Sequence, residues 1–139
     1  MATKVIQDLI RRWRTRGDLG LRGEGLAARE LKRRGYEILE RRWRCRIGEI
    51  DIVARDGDTV VIVEVKTRTR HDHFSPVDAV DARKQRKLIQ LAKAYARSHV
   101  PDDVPIRFDI VGITAPPGKP PEIVHLRDAF DASWHRLTF

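Results

Sequence analysis

The chain has 139 residues, 41% of them hydrophobic, and a formal net charge of +8. That length suits one domain with its own core, and that apolar content excludes a wholly disordered basic tail. No apolar run nears the roughly 18 residues of a membrane span, and the single cysteine, Cys45, can form no internal disulfide, so a reducing cytoplasm is the expected setting.

The charge is unevenly placed. Residues 1–46 hold 14 Lys/Arg against 6 Asp/Glu, whereas residues 47–139 hold 14 of each. The surplus therefore lies in the first third, and 21 of the 28 basic residues are arginine. Arginine forks pair well with phosphates, so the partner this balance points to is a polyanion, most simply nucleic acid. Trp13 and Trp43 each lie among arginines, where a ring can stack on a base or fill the core.

In chain order, Val5, Ile6, Leu9, Ile10 and Trp13 recur at helical spacing, so residues 3–16 read as a short basic helix ended by Gly17. This N-terminal helix, residues 1–17, precedes one domain over 18–139. Residues 19–34 read as a second helix with a stripe of Leu21, Glu24, Ala28 and Leu31, closed by Gly35. Residues 36–46 read as a strand. Residues 47–55 and 59–67 read as a strand pair around Asp56-Gly57, a strong hairpin signal. After a basic loop over 68–74, Ser75-Pro76 supplies an N-cap and a first-turn proline for a helix reaching about residue 98. Val77, Val80, Leu88, Leu91 and Tyr95 form its apolar face. Residues 106–113 read as a fourth strand. A proline-rich connection then leads to a short last strand over 122–126.

The informative segment is the hairpin. Glu64 and Lys66 stand in a strand otherwise made of valine and isoleucine, and such charges are rarely buried unless paired or bound to a cation. They share a face, because side chains alternate with period two. If Asp56 and Gly57 are the two loop residues, paired positions sum to 113. Asp51 then lies opposite Ile62, and Glu49 opposite Glu64. Glu49, Asp51, Glu64 and Lys66 converge on one face, with Ile50, Ile52, Val61, Val63 and Val65 on the other. Three carboxylates so close need a counter-charge. A divalent cation with oxygen ligands supplies one and can activate water against a phosphodiester, while a lysine stabilises the developing charge. A solvated sheet face bearing salt bridges is the plainer alternative.

Gly23-Glu24-Gly25-Leu26-Ala27-Ala28, Gly35-Tyr36-Glu37-Ile38-Leu39, Gly48-Glu49-Ile50-Asp51-Ile52-Val53, Val63-Glu64-Val65-Lys66-Thr67-Arg68 and Arg107-Phe108-Asp109-Ile110-Val111 resemble, in order, the YraN family of small bacterial proteins. That family is one of predicted endonucleases related to Holliday junction resolvases and similar to PD-(D/E)xK nucleases. The resemblance implies a single-domain α/β, restriction-endonuclease-like fold. Its αβββαβ core has a mixed central sheet flanked by helices, here with the extra N-terminal helix. It implies Asp51 and Glu64 as ligands of Mg²⁺ or Mn²⁺, with the Val65 carbonyl as a further ligand. Lys66 is the implied catalytic lysine and Glu24 the supporting helix carboxylate. Glu49 falls outside that minimal set. Ile50 replaces the proline that gives the superfamily its name, and Gln90 and Tyr95 do not match the Gln-x-x-x-Tyr helix motif of some relatives, so the subclass stays open.

The function expected is a Mg²⁺-dependent endonuclease acting on DNA, with branched or damaged structures in repair or recombination as candidate substrates. The alternative is a non-catalytic nucleic-acid-binding module that keeps the nuclease fold. Arg41, Arg42, Arg44, Arg46, Arg68, Arg70, Lys84 and Lys87 are the expected backbone contacts. No membrane partner is expected, and a homodimer is the assembly that analogy with the resolvases allows. Lys84, on the stripe of the long helix, either reaches the charged face or snorkels past the core edge. Arg107 and Asp109 share a strand face and are placed to pair. His71-Asp72-His73, without a third ligand, reads as ordinary loop.

Overall fold

A computed structural model of the chain describes residues 16–69 and 80–132. Residues 3–15 of the helix expected over 3–16, the loop bearing Arg70, His71 and His73, and the Ser75-Pro76 pair lie outside the described residues; Gly17, expected to end that first helix, instead lies inside the helix that starts at Arg16. The elements are α1 (Arg16–Arg33), β1 (Glu37–Cys45), β2 (Gly48–Asp56), β3 (Thr59–Arg68), α2 (Ala82–His99), β4 (Ile106–Thr114) and β5 (Glu122–Phe130). The five strands form one sheet in the order β1-β2-β3-β4-β5. Only β3 and β4 run parallel; the other neighbours are antiparallel. This is the mixed-sheet α/β arrangement of an αβββαβ core, extended by β5.

Each helix covers one face of the sheet. Ala27, Ala28 and Leu31 of α1 pack on Ile52, Ala54, Val61, Val63, Val111 and Ile113. Leu88, Ile89, Leu91, Ala92 and Tyr95 of α2 pack on the opposite side, against Ile50, Val53, Val60, Ile62, Phe108 and Ile110. The near-continuous apolar runs of β3 and β4 follow from this covering on both faces. Trp43 joins the α2-side core edge-on to Tyr95, with ring centroids 5.3 Å apart. Its ring therefore fills the core rather than standing free for a base.

The end of α1 is written locally. Gly35 has a φ of +91°, which glycine adopts without a Cβ penalty. The Tyr36 and Gly35 N–H groups donate to the Leu31 and Lys32 carbonyls at 2.9 and 3.0 Å, closing the helix with a Schellman motif. The start of α2 differs from expectation. Asp81, not Ser75, is its N-cap, accepting from the Lys84 N–H, and Val80 lies buried before the helix begins. The last strand is longer than expected. It runs to Phe130 because Asp128, at φ +53°, bends it and lets Phe130 stack on Phe108.

The hairpin register also differs. Asp56 pairs with Thr59 and Ile52 with Val63, so paired positions sum to 115, not 113. Gly57, at φ +58°, and Asp58 form the loop. The reason is side-chain matching. This register sets Ile52, Val53 and Ala54 against Val63, Ile62 and Val61, whereas the expected one would have put the Asp51 carboxylate opposite Ile62. A shift of two in the sum does not by itself change faces, so Asp51, Glu64 and Lys66 stay aligned. Ile50 and Glu49 do not keep their assigned sides: Glu49, paired with Arg44, follows Ile50 in the flip and leaves the Glu64 face expected for it. Ile50 packs under α2, while Ile52 packs under α1. The strand alternation breaks at Asp51, just beyond the last ladder pair of β2 and β3.

Candidate functional site

The break in β2 builds the site. Past Ile52 the β2–β3 ladder stops, and the Asp51 side chain takes over a backbone partner: the Val65 N–H donates to Asp51 Oδ2 at 2.8 Å. Continuing the 115 register sets Asp51 level with Glu64. Glu64 lies on the α2 side of β3, with its side chain only 6% exposed. Lys66, two residues on, lies 3.6 Å from the Glu64 carboxylate. From α2, Lys84 reaches the same Glu64 oxygen at 3.3 Å, so it belongs to the charged cluster rather than snorkelling away.

From the other side, α1 presents Glu24. The helix can sit this low because Gly23 has no side chain; a Cβ there would run into the Thr67 methyl of β3. One oxygen each of Glu24, Glu49 and Asp51 lies within 4.8 Å of the others. Glu49, ranked below the other carboxylates on sequence, thus stands inside the cluster.

Arginines of β1 close the ring. Arg44 Nε lies 2.6 Å from Glu49 Oε2, and Arg42 Nε lies 3.4 Å from Glu49 Oε1 and 3.8 Å from Glu24 Oε2. The last distance is too long for a hydrogen bond, and Glu24 Oε2 is buried without a hydrogen-bond partner among the described residues. Arg42 and Arg44, expected as backbone contacts, are therefore turned onto carboxylates. Nothing in the residue pattern marked this role; Arg42 also has a left-handed φ of +54°, which no sequence signal announces.

The electrostatics follow from crowding. Burial, reinforced by the Glu64 charge and opposed by the Val65 N–H, pushes the Asp51 carboxyl up to about 7. Burial raises the Glu24 carboxyl as well, against the pull of Arg42. Glu49 goes the other way. Its burial would raise it, but hydrogen bonds from Arg44 and Arg42 outweigh that and hold it below the usual range. Chemically, the cleft offers buried oxygen donors, one of them lacking a partner, beside two ammonium groups. That donor set fits a hard divalent cation, which takes oxygen ligands.

A second polar cluster lies on the α1 side, outside the cleft. Arg107 and Asp109 pair as expected, with Arg107 Nε 2.9 Å from Asp109 Oδ1. Asp109 is 1% exposed. It also accepts from the Tyr36 hydroxyl at 3.1 Å, bonds to His125 Nε2 at 2.7 Å and accepts from the Asp128 N–H at 3.0 Å. Although burial would raise its carboxyl, these bonds bring it down to about 2. Sequence reading missed Tyr36, Asp56 and His125 as members, because they come from three other places in the chain. Asp56 Oδ2 accepts from Arg107 Nη1 at 2.9 Å. Among the described residues, no buried side-chain polar atom of this knot lacks a hydrogen bond, so it ties strands together.

Fold and cleft together define a small α/β domain with a carboxylate–lysine cleft where two antiparallel strands part. Residues 23–113 match the model of the uncharacterised protein family UPF0102. A UPF0102 protein of Rhodococcus jostii (strain RHA1) is 46% identical over 112 residues, covering 81% of this chain and 95% of its own length. A UPF0102 protein of Geobacter metallireducens is 47% identical over 116 residues, covering 84% and 94%, and one of Clavibacter michiganensis is 44% identical over 112 residues, covering 81% and 95%. The chain belongs to the UPF0102 family, which agrees with the YraN-like resemblance of its motifs. Among the described residues no helix is long and apolar enough to cross a membrane.

Proposed function

We propose that this protein is a metal-dependent nuclease that hydrolyses phosphodiester bonds in DNA. The observation that carries the reading is the meeting of Asp51, Glu64, Lys66 and Glu24 in one cleft at the parting of β2 and β3. Asp51 and Glu64, with the Val65 carbonyl, would hold Mg²⁺ or Mn²⁺. The buried Glu24 Oε2, which has no hydrogen-bond partner among the described residues, supports the fit. When bound, such an ion supplies Lewis acidity and a more acidic water.

The chain's own groups divide the remaining work. Lys66 is about one-third exposed, so its ammonium can donate to a phosphodiester oxygen or hold the attacking water. Glu64 keeps Lys66 in place through their ion pair. Glu24, with its carboxyl raised by burial, is suited to orient or relay a proton on that water. The Val65 N–H fixes one Asp51 oxygen and leaves the other free to face the cleft. Arg41, Arg46, Arg68 and Lys87, with the basic residues before position 16 and Arg70, would hold the nucleic-acid backbone by charge. A cytoplasmic setting and a homodimer on two-fold symmetric substrates accompany this reading.

The test is a cleavage panel of linear, flapped and four-way DNA with Mg²⁺ or Mn²⁺. We expect metal-dependent cleavage that Asp51→Ala and Lys66→Ala lower by at least about a hundredfold, the scale of one electrostatic or acid–base catalytic group. Salt-sensitive DNA binding with no turnover on any substrate would overturn the catalytic reading in favour of a binding module.

A further inference from the structure

Arg42 occupies an unusual position. Its neighbours pair with β2 as Arg41↔Ile52 and Trp43↔Ile50, which sets Arg42 across from Asp51. Its φ of +54° is a left-handed conformation that a long side chain rarely adopts. Such backbone persists where the surroundings over-determine it, and it concentrates at functional sites. The bend brings its guanidinium to Glu49 at 3.4 Å and Glu24 at 3.8 Å. These are two of the three carboxylates whose oxygens come within 4.8 Å of one another.

The charge count gives this placement meaning. Glu24, Glu49, Asp51 and Glu64 carry four carboxylates, and Lys66, Lys84, Arg42 and Arg44 lie within 4.0 Å of members of that set. The cleft therefore supplies its own counter-charge. Both arginines reach solvent, but Arg44 is held tightly by Glu49 alone at 2.6 Å, whereas Arg42 makes only two long contacts, one to each of two carboxylates. The loosely held cation that spans two of the clustered carboxylates is the one that an incoming ion would displace. Its forked guanidinium pairs with phosphate as readily as with carboxylate.

We propose that Arg42 is an internal counter-ion that a divalent cation displaces, handing its guanidinium from Glu24 and Glu49 to a substrate phosphate. The inference rests on the reading of the cleft as a cation site. It adds a residue whose pairing changes with the ion, and so a device that couples ion binding to nucleic-acid binding.

The experiment has two arms. In the first, calorimetric titration of Mn²⁺ into the wild-type protein is compared with Arg42→Gln, Arg42→Gly and Arg42→Lys, with folding checked by circular dichroism. Glycine also relieves the left-handed backbone, so loss of fold in one variant leaves the other informative. We expect Gln and Gly to tighten Mn²⁺ binding about three- to fivefold, the scale of one part-exposed ion pair released, and Lys to stay near wild type. In the second arm, duplex DNA binding is measured with Ca²⁺ and with a chelator; Arg42→Gln weakens it only when the cation is present. Unchanged or weaker Mn²⁺ binding by Gln and Gly, or equal loss of DNA affinity with and without the cation, overturns the counter-ion role and leaves the cation site standing. Absence of Mn²⁺ binding by the wild type and by every variant overturns both.

Discussion

At the residue scale, Asp51 is the costly group. The fold places a carboxylate in a partly closed cleft beside Glu64, and burial plus that charge push it up to about 7. A carboxylate raised above its unfolded value stabilises the fold in its protonated form. That stabilisation is fully present below about pH 4 and is lost as the pH rises through about 7. With metal chelated, Asp51→Asn should therefore match the wild type near pH 4 and exceed it by on the order of 2 kcal/mol at pH 8. The asparagine oxygen still accepts the Val65 N–H, so the strand parting is preserved. Urea unfolding at several pH values checks this; a variant weaker than wild type at every pH would show that Asp51 is structural. The residues of the site were partly legible in the sequence. Glu64 and Lys66 stood out as charges in an apolar strand, and period-two alternation aligned them with Asp51. Arg42 was legible only as a backbone contact and not as a member of the carboxylate cluster, because that role comes from one left-handed φ and from partners on two other elements.

At the element scale, local signals carried what short-range physics controls. Gly35 ends α1 because a left-handed C-cap needs glycine, and the sequence alone placed it there. The hairpin was legible as a hairpin, but its loop was misplaced by one residue. Turn preference marked Asp56-Gly57; cross-strand matching of Ile52, Val53 and Ala54 moved the turn to Gly57-Asp58. The side of Ile50 and the length of β5 were hidden for a similar reason. A carboxylate capturing a backbone N–H in β2, and a bend at Asp128 answering to Asp109, are long-range events. The close approach of α1 to β3 gives an element-scale prediction. Gly23→Ala should destabilise the protein by about 1–3 kcal/mol despite alanine's better helix propensity, because the new methyl overpacks against Thr67. Thr67→Ser removes the colliding methyl, so the double variant should recover most of the loss. Thermal unfolding of the single and double variants reads the coupling; additive effects would show that the contact does not limit the helix position.

At the scale of the whole molecule, the two polar clusters divide the labour. The Asp109 knot joins the start of β1, the end of β2, β4 and β5 through satisfied bonds. The cleft instead keeps repelling carboxylates, and a buried oxygen with no hydrogen bond among the described residues, where α1, α2 and the parting strands meet. A domain that leaves one polar cluster strained while satisfying the other retains the strained one for what it binds. Under the proposed function, the basic surplus in residues 1–46 would bring a polyanion to that cleft. The most direct measurement is calorimetric titration of Mg²⁺ and Mn²⁺ into the full chain, beside Asp51→Asn and Glu64→Gln with intact folds. A cation held by Asp51 and Glu64 requires saturable binding by the wild type that each variant weakens by about tenfold or more, the scale of one lost charged ligand. Equal binding by all three proteins, or none by the wild type, would contradict that placement.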